Sequence, residues 1–211
     1  MRTRTVLIIH ERTAATARPA DDLAAIAATL DARGLTVSYA HVSPDPSEQR
    51  PAPTRALVRS RPLRDICATD HAALVLCDHG QRLSALANDP HFARIARDFA
   101  SSPRPLVAIA RAPAALVALR ASDGTSYLYG RRITLATDAS EWASDAPPHT
   151  ASAIARVRAA GADVRLEPVG AEHVVVDAFL ITAQNLRSAA SAARTLAAFA
   201  VPPAHARLRA S

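Results

Sequence analysis

Short apolar runs alternate along the chain with segments whose apolar positions repeat at helical spacing. Residues 5–9 and 72–77 have the length and composition of buried strands. Between them, residues 21–33 carry apolar side chains at helical spacing and are followed by Gly34, which is typical of a helix C-cap. This alternation favours a parallel sheet covered by helices.

The same criteria predict the remaining elements. Further strands are expected at residues 35–41, 105–110, 132–136, 164–166, 174–176 and 180–182, with a turn at Asp177–Ala178 between the last two. Further helices are expected at 83–99, 113–119, 149–160 with Gly161 as its cap, and 186–199, and a loop at 43–54. We therefore predict one α/β domain over residues 1–200, a three-layer sandwich around a mostly parallel sheet, and a loose tail at 201–211.

The amino-acid composition limits the kind of core, the catalytic chemistry and the partners that the chain can have. The chain has 211 residues, of which 49% are hydrophobic and only 4% aromatic, so the core must consist mainly of Ala, Val, Leu and Ile. All 25 basic residues are arginine, which excludes Schiff-base chemistry on a lysine. The net charge of +6 comes from arginines that are scattered and mixed with acids. We therefore expect solvated surfaces and no nucleic-acid partner.

The number of cysteines and the lengths of the apolar runs indicate the cellular compartment of the protein. Cys67 and Cys77 form no disulfide framework, which fits a reducing environment. No apolar run approaches the ~20 residues that span a bilayer, and no signal segment is evident. We expect a cytoplasmic protein without a membrane partner. No His, Cys or carboxylate set has metal-ligand spacing and no glycine loop suits a phosphate, so we expect neither metal nor cofactor.

Several stretches resemble, in order along the chain, motifs of one superfamily. They are Leu86-Ala87-Asn88-Asp89-Pro90, Arg104-Pro105 through Leu116, Gly130-Arg131-Arg132-Ile133-Thr134, and His173-Val174-Val175-Val176-Asp177 with Leu180-Ile181-Thr182. Together they resemble the ThiJ/PfpI superfamily, in the branch that contains glyoxalase III and heat-shock holding chaperones. The resemblance implies the flavodoxin-like, class I glutamine amidotransferase-like fold and a homodimer.

The sequence departs from this family at its reactive site. The family's elbow after the fourth strand carries Cys-His-Gly, and the matching positions here are Ala110-Arg111-Ala112. A methyl group cannot attack a carbonyl, so the resemblance implies that Cys-dependent glyoxalase, amidase and peptidase activity is absent at this elbow. The alanine at 112 also suggests that the turn no longer needs glycine there.

Other polar groups are expected around the position of the family's cysteine, because ligands of open α/β sheets bind beyond the carboxyl ends of the strands. The catalytic candidates are Asp22, which matches the family's glutamate, His79 and Glu141. The ligand-binding candidates are Arg111, Cys77, Asp78, Asp138, Trp142 and His149. His10, which follows the first strand, is a further acid–base group.

Three of these residues have a second interpretation. Asp22 also suits the first turn of a helix by its charge. Cys77 is either a relocated nucleophile near His79 or a small apolar residue that ends a buried strand. Arg111 either binds an anionic ligand or neutralises Asp22.

Three functions remain open. The first is an enzyme that acts on a small carbonyl compound by acid–base chemistry, as a lyase, hydratase, isomerase or cyclase without a covalent intermediate. The second is a non-catalytic dimer that binds a ligand, holds unfolded chains or regulates. The third is glyoxalase III activity through Cys77.

Overall fold

The computed structural model describes residues 4–10, 18–41, 60–78, 83–136 and 153–200, with the backbone alone described at 18–22, 78 and 83–85. Among these residues, a seven-stranded sheet forms the centre of the molecule. In chain order its strands are β1 (Thr5–His10), β2 (Thr36–His41), β3 (Arg61–Pro62), β4 (Ala73–Asp78), β5 (Leu106–Ala110), β8 (Val174–Asp177) and β9 (Leu180–Ala183). β6 (Arg132–Ile133) and β7 (Asp163–Val164) form a separate two-stranded sheet.

The order of the main sheet is β3-β2-β1-β4-β5-β9-β8. All of its neighbouring strands are parallel except β8, which pairs antiparallel with β9. The carboxyl ends of the parallel strands therefore lie along one edge of the sheet.

Helices cover both faces of this sheet. They are α1 (Arg18–Asp31), α2 (Leu83–Asn88), α3 (Pro90–Ala100), α4 (Ala153–Ala159) and α5 (Ala189–Ala200). One core cluster packs Leu23, Ile26 and Leu30 of α1 and Leu196 of α5 against the sheet. The other packs Phe92, Ile95 and Phe99 of α3 against the opposite face. The predicted three-layer α/β architecture is confirmed.

The helix predicted at 83–99 is two helices, α2 and α3. Pro90 begins α3, and the Asp89 carboxylate caps it by accepting hydrogen bonds from the backbone N–H groups of His91 (2.8 Å) and Phe92 (3.0 Å). A proline has no N–H to continue the preceding helix, and an aspartate at the N-cap starts a new one. The predicted helix at 186–199 is likewise a 3₁₀ turn at Leu186–Ser188 followed by α5.

The strand predicted at 132–136 is paired only over β6. The backbone N–H of Thr134 donates to Thr182 Oγ1 at 2.9 Å, and that of Ala136 donates to the carbonyl of Ala110 at 3.0 Å. These bonds to the main sheet replace a strand ladder. The strand predicted at 164–166 is β7, and β3 was not predicted because two residues at a sheet edge have no periodicity.

Two helix ends confirm the expected glycine caps. Gly34 has φ +72° after α1 and Gly161 has φ +87° after α4. At Gly34 the backbone N–H of Leu35 reaches back to the carbonyl of Leu30 at 3.1 Å, which closes the cap. The loop predicted at 43–54 and the tail at 201–211 lie outside the described residues, as does the beginning of the helix predicted at 149–160.

The β8–β9 turn makes a testable prediction about stability. Ala178 is exposed and has φ +51° in a two-residue hairpin turn, where glycine suits a positive φ. We expect Ala178→Gly to raise the free energy of unfolding by about 0.5–1 kcal/mol, because the relief of strain exceeds the entropy that glycine adds to the unfolded chain. Urea unfolding measures this change.

The matched control is Ala121→Gly. Ala121 is also exposed, but its φ is not positive. Glycine there adds only flexibility to the unfolded chain, so we expect a loss of stability. A loss at both positions would contradict the strain at Ala178.

Candidate functional site

The candidate site lies at the carboxyl edge of the main sheet. His10 ends β1 and is paired in register with His41 at the end of β2 and with Cys77 in β4. Asp78, the last residue of β4, is in register with Ala110, the last residue of β5. Residues that are far apart in the sequence therefore meet along one edge, where open α/β sheets bind their ligands.

Ala110 occupies a strained bend between the central strand β5 and the 3₁₀ helix at Ala112–Ala118. Its φ is +57° and its side chain is fully buried, at 0% exposure. The left-handed conformation costs a residue with a Cβ about 1–2 kcal/mol. The structure thus places residue 110 at a sharp strand-to-helix turn, where it presents a methyl group and no nucleophile.

The helix predicted at 113–119 after this bend is a 3₁₀ helix at Ala112–Ala118. The backbone N–H of Ala114 donates to the carbonyl of Arg111 at 3.0 Å, an i→i+3 bond. The positive φ of the bend is at residue 110, while Ala112 has none, so the alanine at 112 causes no backbone strain.

Arg111 is half-buried at the residue before this 3₁₀ helix, with φ −86° and ψ −8°. Its backbone lies one residue from Ala110, at the carboxyl edge. The side chain of Asp22, which one of the two interpretations pairs with Arg111, lies outside the described residues, so both interpretations of Arg111 stay predictions.

Cys77 is buried, with 3% of its surface exposed. It packs in the same core cluster as Val75, Ile109 and Ala110. This is the environment of a small apolar residue that ends a buried strand, and little of the thiol is open to solvent. Its expected partner, His79, lies outside the described residues.

The other predicted site residues are described in part or not at all. Asp22 lies in the first half of α1 and Asp78 ends β4, both with backbone alone. Asp138, Glu141, Trp142 and His149 lie outside the described residues. Their roles stay predictions.

The structure brings together at the same edge a cluster that the sequence did not predict. Ser60, which immediately precedes β3, has its hydroxyl 3.1 Å from His10 Nε2 and 2.9 Å from His41 Nδ1. Both imidazoles are buried, with 2% and 7% of their surfaces exposed. The Tyr39 ring packs edge-on against His10 at 6.2 Å, and burial raises the pKa of the Tyr39 hydroxyl. The available signal was that β1 and β2 both end in histidine, but nothing in the sequence linked Ser60 to them.

A buried polar network holds the neighbouring end of the sheet. Gln184, which follows β9, accepts hydrogen bonds from the Thr134 hydroxyl (3.2 Å) and the backbone N–H of Glu167 (2.8 Å). Its amide group donates to the carbonyl of Glu167 at 2.8 Å. This network connects the segment after β6 to β9, and the same segment reaches the carbonyl of Ala110.

The described ranges contain neither a metal-binding group of side chains nor a membrane-spanning helix. Within them, no three His, Cys, Asp or Glu side chains are grouped so that they could hold a metal ion. None of the helices in this part of the chain is long and apolar enough to cross a bilayer.

The fold can be compared with known proteins. No protein-family model matches the sequence, and no curated protein matches it. Solved structures do match. The glyoxalase III of Candida albicans has a TM-score of 0.73 at 18% identity, covering 94% of this chain and 98% of that chain.

Two further solved structures match the fold of this chain. A ThiJ/PfpI domain protein from Brachyspira murdochii has a TM-score of 0.67 at 12% identity, over 94% of this chain and 97% of that chain. The Schizosaccharomyces pombe DJ-1 protein has a TM-score of 0.62 at 14% identity, over 96% of this chain and 93% of that chain. The chain therefore has the ThiJ/PfpI fold, as its motifs predicted.

Proposed function

We propose that this protein acts on a small carbonyl compound by acid–base chemistry that uses no cysteine nucleophile. The observation that supports it is Ala110, which keeps the strained backbone of the bend at φ +57° without a thiol. A buried alanine has no local reason to adopt this conformation, so the fold around the bend imposes it. The site's shape would persist although its covalent chemistry is lost.

Acid–base groups for this chemistry are available in the sequence. Asp22, His79 and Glu141 are the proposed proton donors and acceptors, and Arg111 would stabilise the developing negative charge of an enolate. Cys77, Asp78, Asp138, Trp142 and His149 would line the ligand. The reaction would be that of a lyase, hydratase, isomerase or cyclase in a cytoplasmic homodimer.

A non-catalytic dimer is the second candidate. The observation that favours it is the packing of the bend, because Ala110, Ala112 and Ala114 are all 0% exposed. Closely packed alanines around the old nucleophile position leave less room for a substrate there. Such a protein would bind a ligand, hold unfolded chains or regulate.

Glyoxalase III activity through Cys77 is the third candidate, since one structure with this fold is a glyoxalase III. The burial of Cys77 opposes it, because only 3% of the residue's surface is exposed and a substrate would have little access to the thiol.

One experiment separates these candidates. The full-length protein is incubated with methylglyoxal or dihydroxyacetone in deuterated water, and NMR follows product formation and exchange of carbon-bound hydrogen. We expect turnover to persist in Cys77→Ala, because the proposed chemistry needs no thiol. We expect Asp22→Asn, His79→Gln and Glu141→Gln each to lower it at least tenfold, in the range for lost acid–base catalysis.

The matched controls are the same changes on exposed residues. Asp123→Asn and His91→Gln lie on the described surface and should leave turnover unchanged. Loss of methylglyoxal turnover in Cys77→Ala would replace the proposal with the Cys77 mechanism. Absence of turnover and of exchange with both compounds would overturn it in favour of the non-catalytic dimer.

A further inference from the structure

Ser60, His10 and His41 form a compact cluster that none of the functions above uses. The Ser60 hydroxyl lies 3.1 Å from His10 Nε2 and 2.9 Å from His41 Nδ1, so both ring nitrogens are within hydrogen-bond distance of one oxygen. The histidines end β1 and β2, and the serine stands directly before β3. Three adjacent strands thus bring the cluster together at the carboxyl edge of the sheet.

The number of protons fixes how these groups interact. A serine hydroxyl has one proton, so it donates to one ring nitrogen, and the other nitrogen must donate its own proton to the serine oxygen. Either assignment leaves an imidazole base facing the hydroxyl and an imidazole N–H facing its oxygen. When the base takes the serine proton, the alkoxide lies between two N–H donors, which stabilise its negative charge.

Ser60 is the most exposed residue of the cluster. His10 and His41 are buried, at 2% and 7%, whereas Ser60 is only half-buried. The edge-on Tyr39 ring, at 6.2 Å and 74°, fixes the orientation of the His10 ring from the side.

We propose that Ser60 is a nucleophile for acyl transfer from small carboxylic esters, with His10 or His41 as its general base. A nucleophile within about 2.6–3.2 Å of a base is the arrangement that activates serine in hydrolases. This activity is separate from the carbonyl chemistry proposed above, and it requires neither Ala110 nor a thiol.

The reaction balances with water as the second reactant. The imidazole takes the serine proton as Ser60 Oγ bonds to the ester carbonyl carbon, and the bond from that carbon to the leaving alcohol breaks. The imidazolium gives its proton to the alcohol. Water then attacks the acyl carbon while the imidazole takes a proton from it, the bond from that carbon to Ser60 Oγ breaks, and the imidazolium returns the proton to Oγ, which releases the carboxylic acid and free serine.

The chain contains a matched control. Ser38 also has its hydroxyl 2.8 Å from a buried imidazole, at His71 Nε2. The other nitrogen of His71 lies 2.9 Å from the carbonyl oxygen of Cys67. Ser38 is thus hydrogen-bonded to one imidazole, whereas Ser60 lies between two. Ser38 also lies within β2, three residues before its carboxyl end. Replacement of Ser38 removes a serine–histidine pair without touching the cluster.

The test is covalent labelling of the full-length protein with a biotinylated fluorophosphonate, in which Oγ–P forms, P–F breaks and the serine proton leaves with fluoride. We expect the label on the tryptic peptide that contains Ser60. We expect Ser60→Ala, His10→Gln and His41→Gln to lower the labelling rate at least tenfold, and Ser38→Ala to leave it unchanged. Thermal unfolding checks that each variant is folded.

A second variant keeps the test decisive if Ser60→Ala fails to fold. In Ser60→Cys the same bases should activate the introduced thiol, so iodoacetamide should alkylate it faster than the exposed Cys67 of the same chain. Labelling of the natural protein at another residue, or at a rate that Ser60→Ala does not change, would overturn the proposal. So would alkylation of the introduced thiol no faster than that of Cys67.

Discussion

Ala110→Val is expected to lower the free energy of unfolding by about 4 kcal/mol. Two costs add at this position. The larger side chain overpacks a site that is fully buried, which costs about 1–3 kcal/mol. A β-branched side chain at φ +57° also adds strain beyond the roughly 1–2 kcal/mol that alanine already bears. Chemical denaturation of the two proteins measures the difference.

Ala108→Val is the control that separates these costs. Ala108 lies two residues earlier in β5 and is equally buried, but its φ is not positive. We therefore expect only the overpacking loss there, about 1–3 kcal/mol. Equal losses at both positions would show that the bend carries no strain, which would remove the observation that supports the proposed function.

Arg104→Ala is expected to lower the free energy of unfolding by about 3 kcal/mol. The guanidinium donates to the backbone carbonyls of Ala68 (2.5 Å), His71 (3.0 Å) and Asp98 (3.1 Å) and to the Ser102 hydroxyl (3.0 Å). It also lies over the Phe99 ring at 4.1 Å. Its loss would leave carbonyls without a donor where the segment before β4 meets the end of α3, and each such loss costs about 1–3 kcal/mol when buried.

Two controls test this explanation. Arg104→Lys keeps the positive charge but not the planar guanidinium group with its several N–H donors. We therefore expect lysine to recover less than half of the free energy of unfolding that is lost in Arg104→Ala. Arg97→Ala removes an exposed arginine from the last turn of α3 and should change stability by less than about 0.5 kcal/mol. Equal effects of Arg104→Ala and Arg97→Ala in urea unfolding would contradict the proposed role of Arg104.

Arg104 also shapes the environment of His71. Burial lowers the pKa of His71, and the positive charges of Arg61 and Arg104 lower it further, against the hydrogen bond to the carbonyl of Cys67 and the charge of Asp70. The imidazole is thereby kept neutral near neutral pH, with Nδ1–H donating to Cys67 and Nε2 accepting from Ser38. Ser38 lies within β2, whereas the Ser60 cluster lies at the carboxyl edge of the sheet.

The two proposals make different use of the same edge. The proposed carbonyl chemistry would use Asp22, His79, Glu141 and Arg111, whereas the proposed acyl transfer would use the ends of β1 and β2. A variant of Ser60 should therefore affect labelling and leave turnover of methylglyoxal unchanged. The two activities can be tested separately in one protein.

The alternation of strands and helices follows from the amino-acid sequence alone, because a strand buried on both faces must be apolar throughout, and a covering helix must be apolar on one side. The caps at Gly34 and Gly161 also follow from the sequence, since only glycine adopts a positive φ there without strain. The absence of a thiol at residue 110 follows from the sequence as well, once the neighbouring motifs locate the bend.

Contacts in the folded protein determine where the long apolar segments end as helices or strands, and which side chains distant in sequence lie together. Residues 134–136 form no strand ladder because they bond instead to Thr182 and to the carbonyl of Ala110 in the main sheet. Ser60 meets His10 across fifty positions of sequence because parallel strands are joined by long crossovers, and strand order and register bring their ends together. A periodicity describes one segment at a time, and so it carries no information about such neighbours.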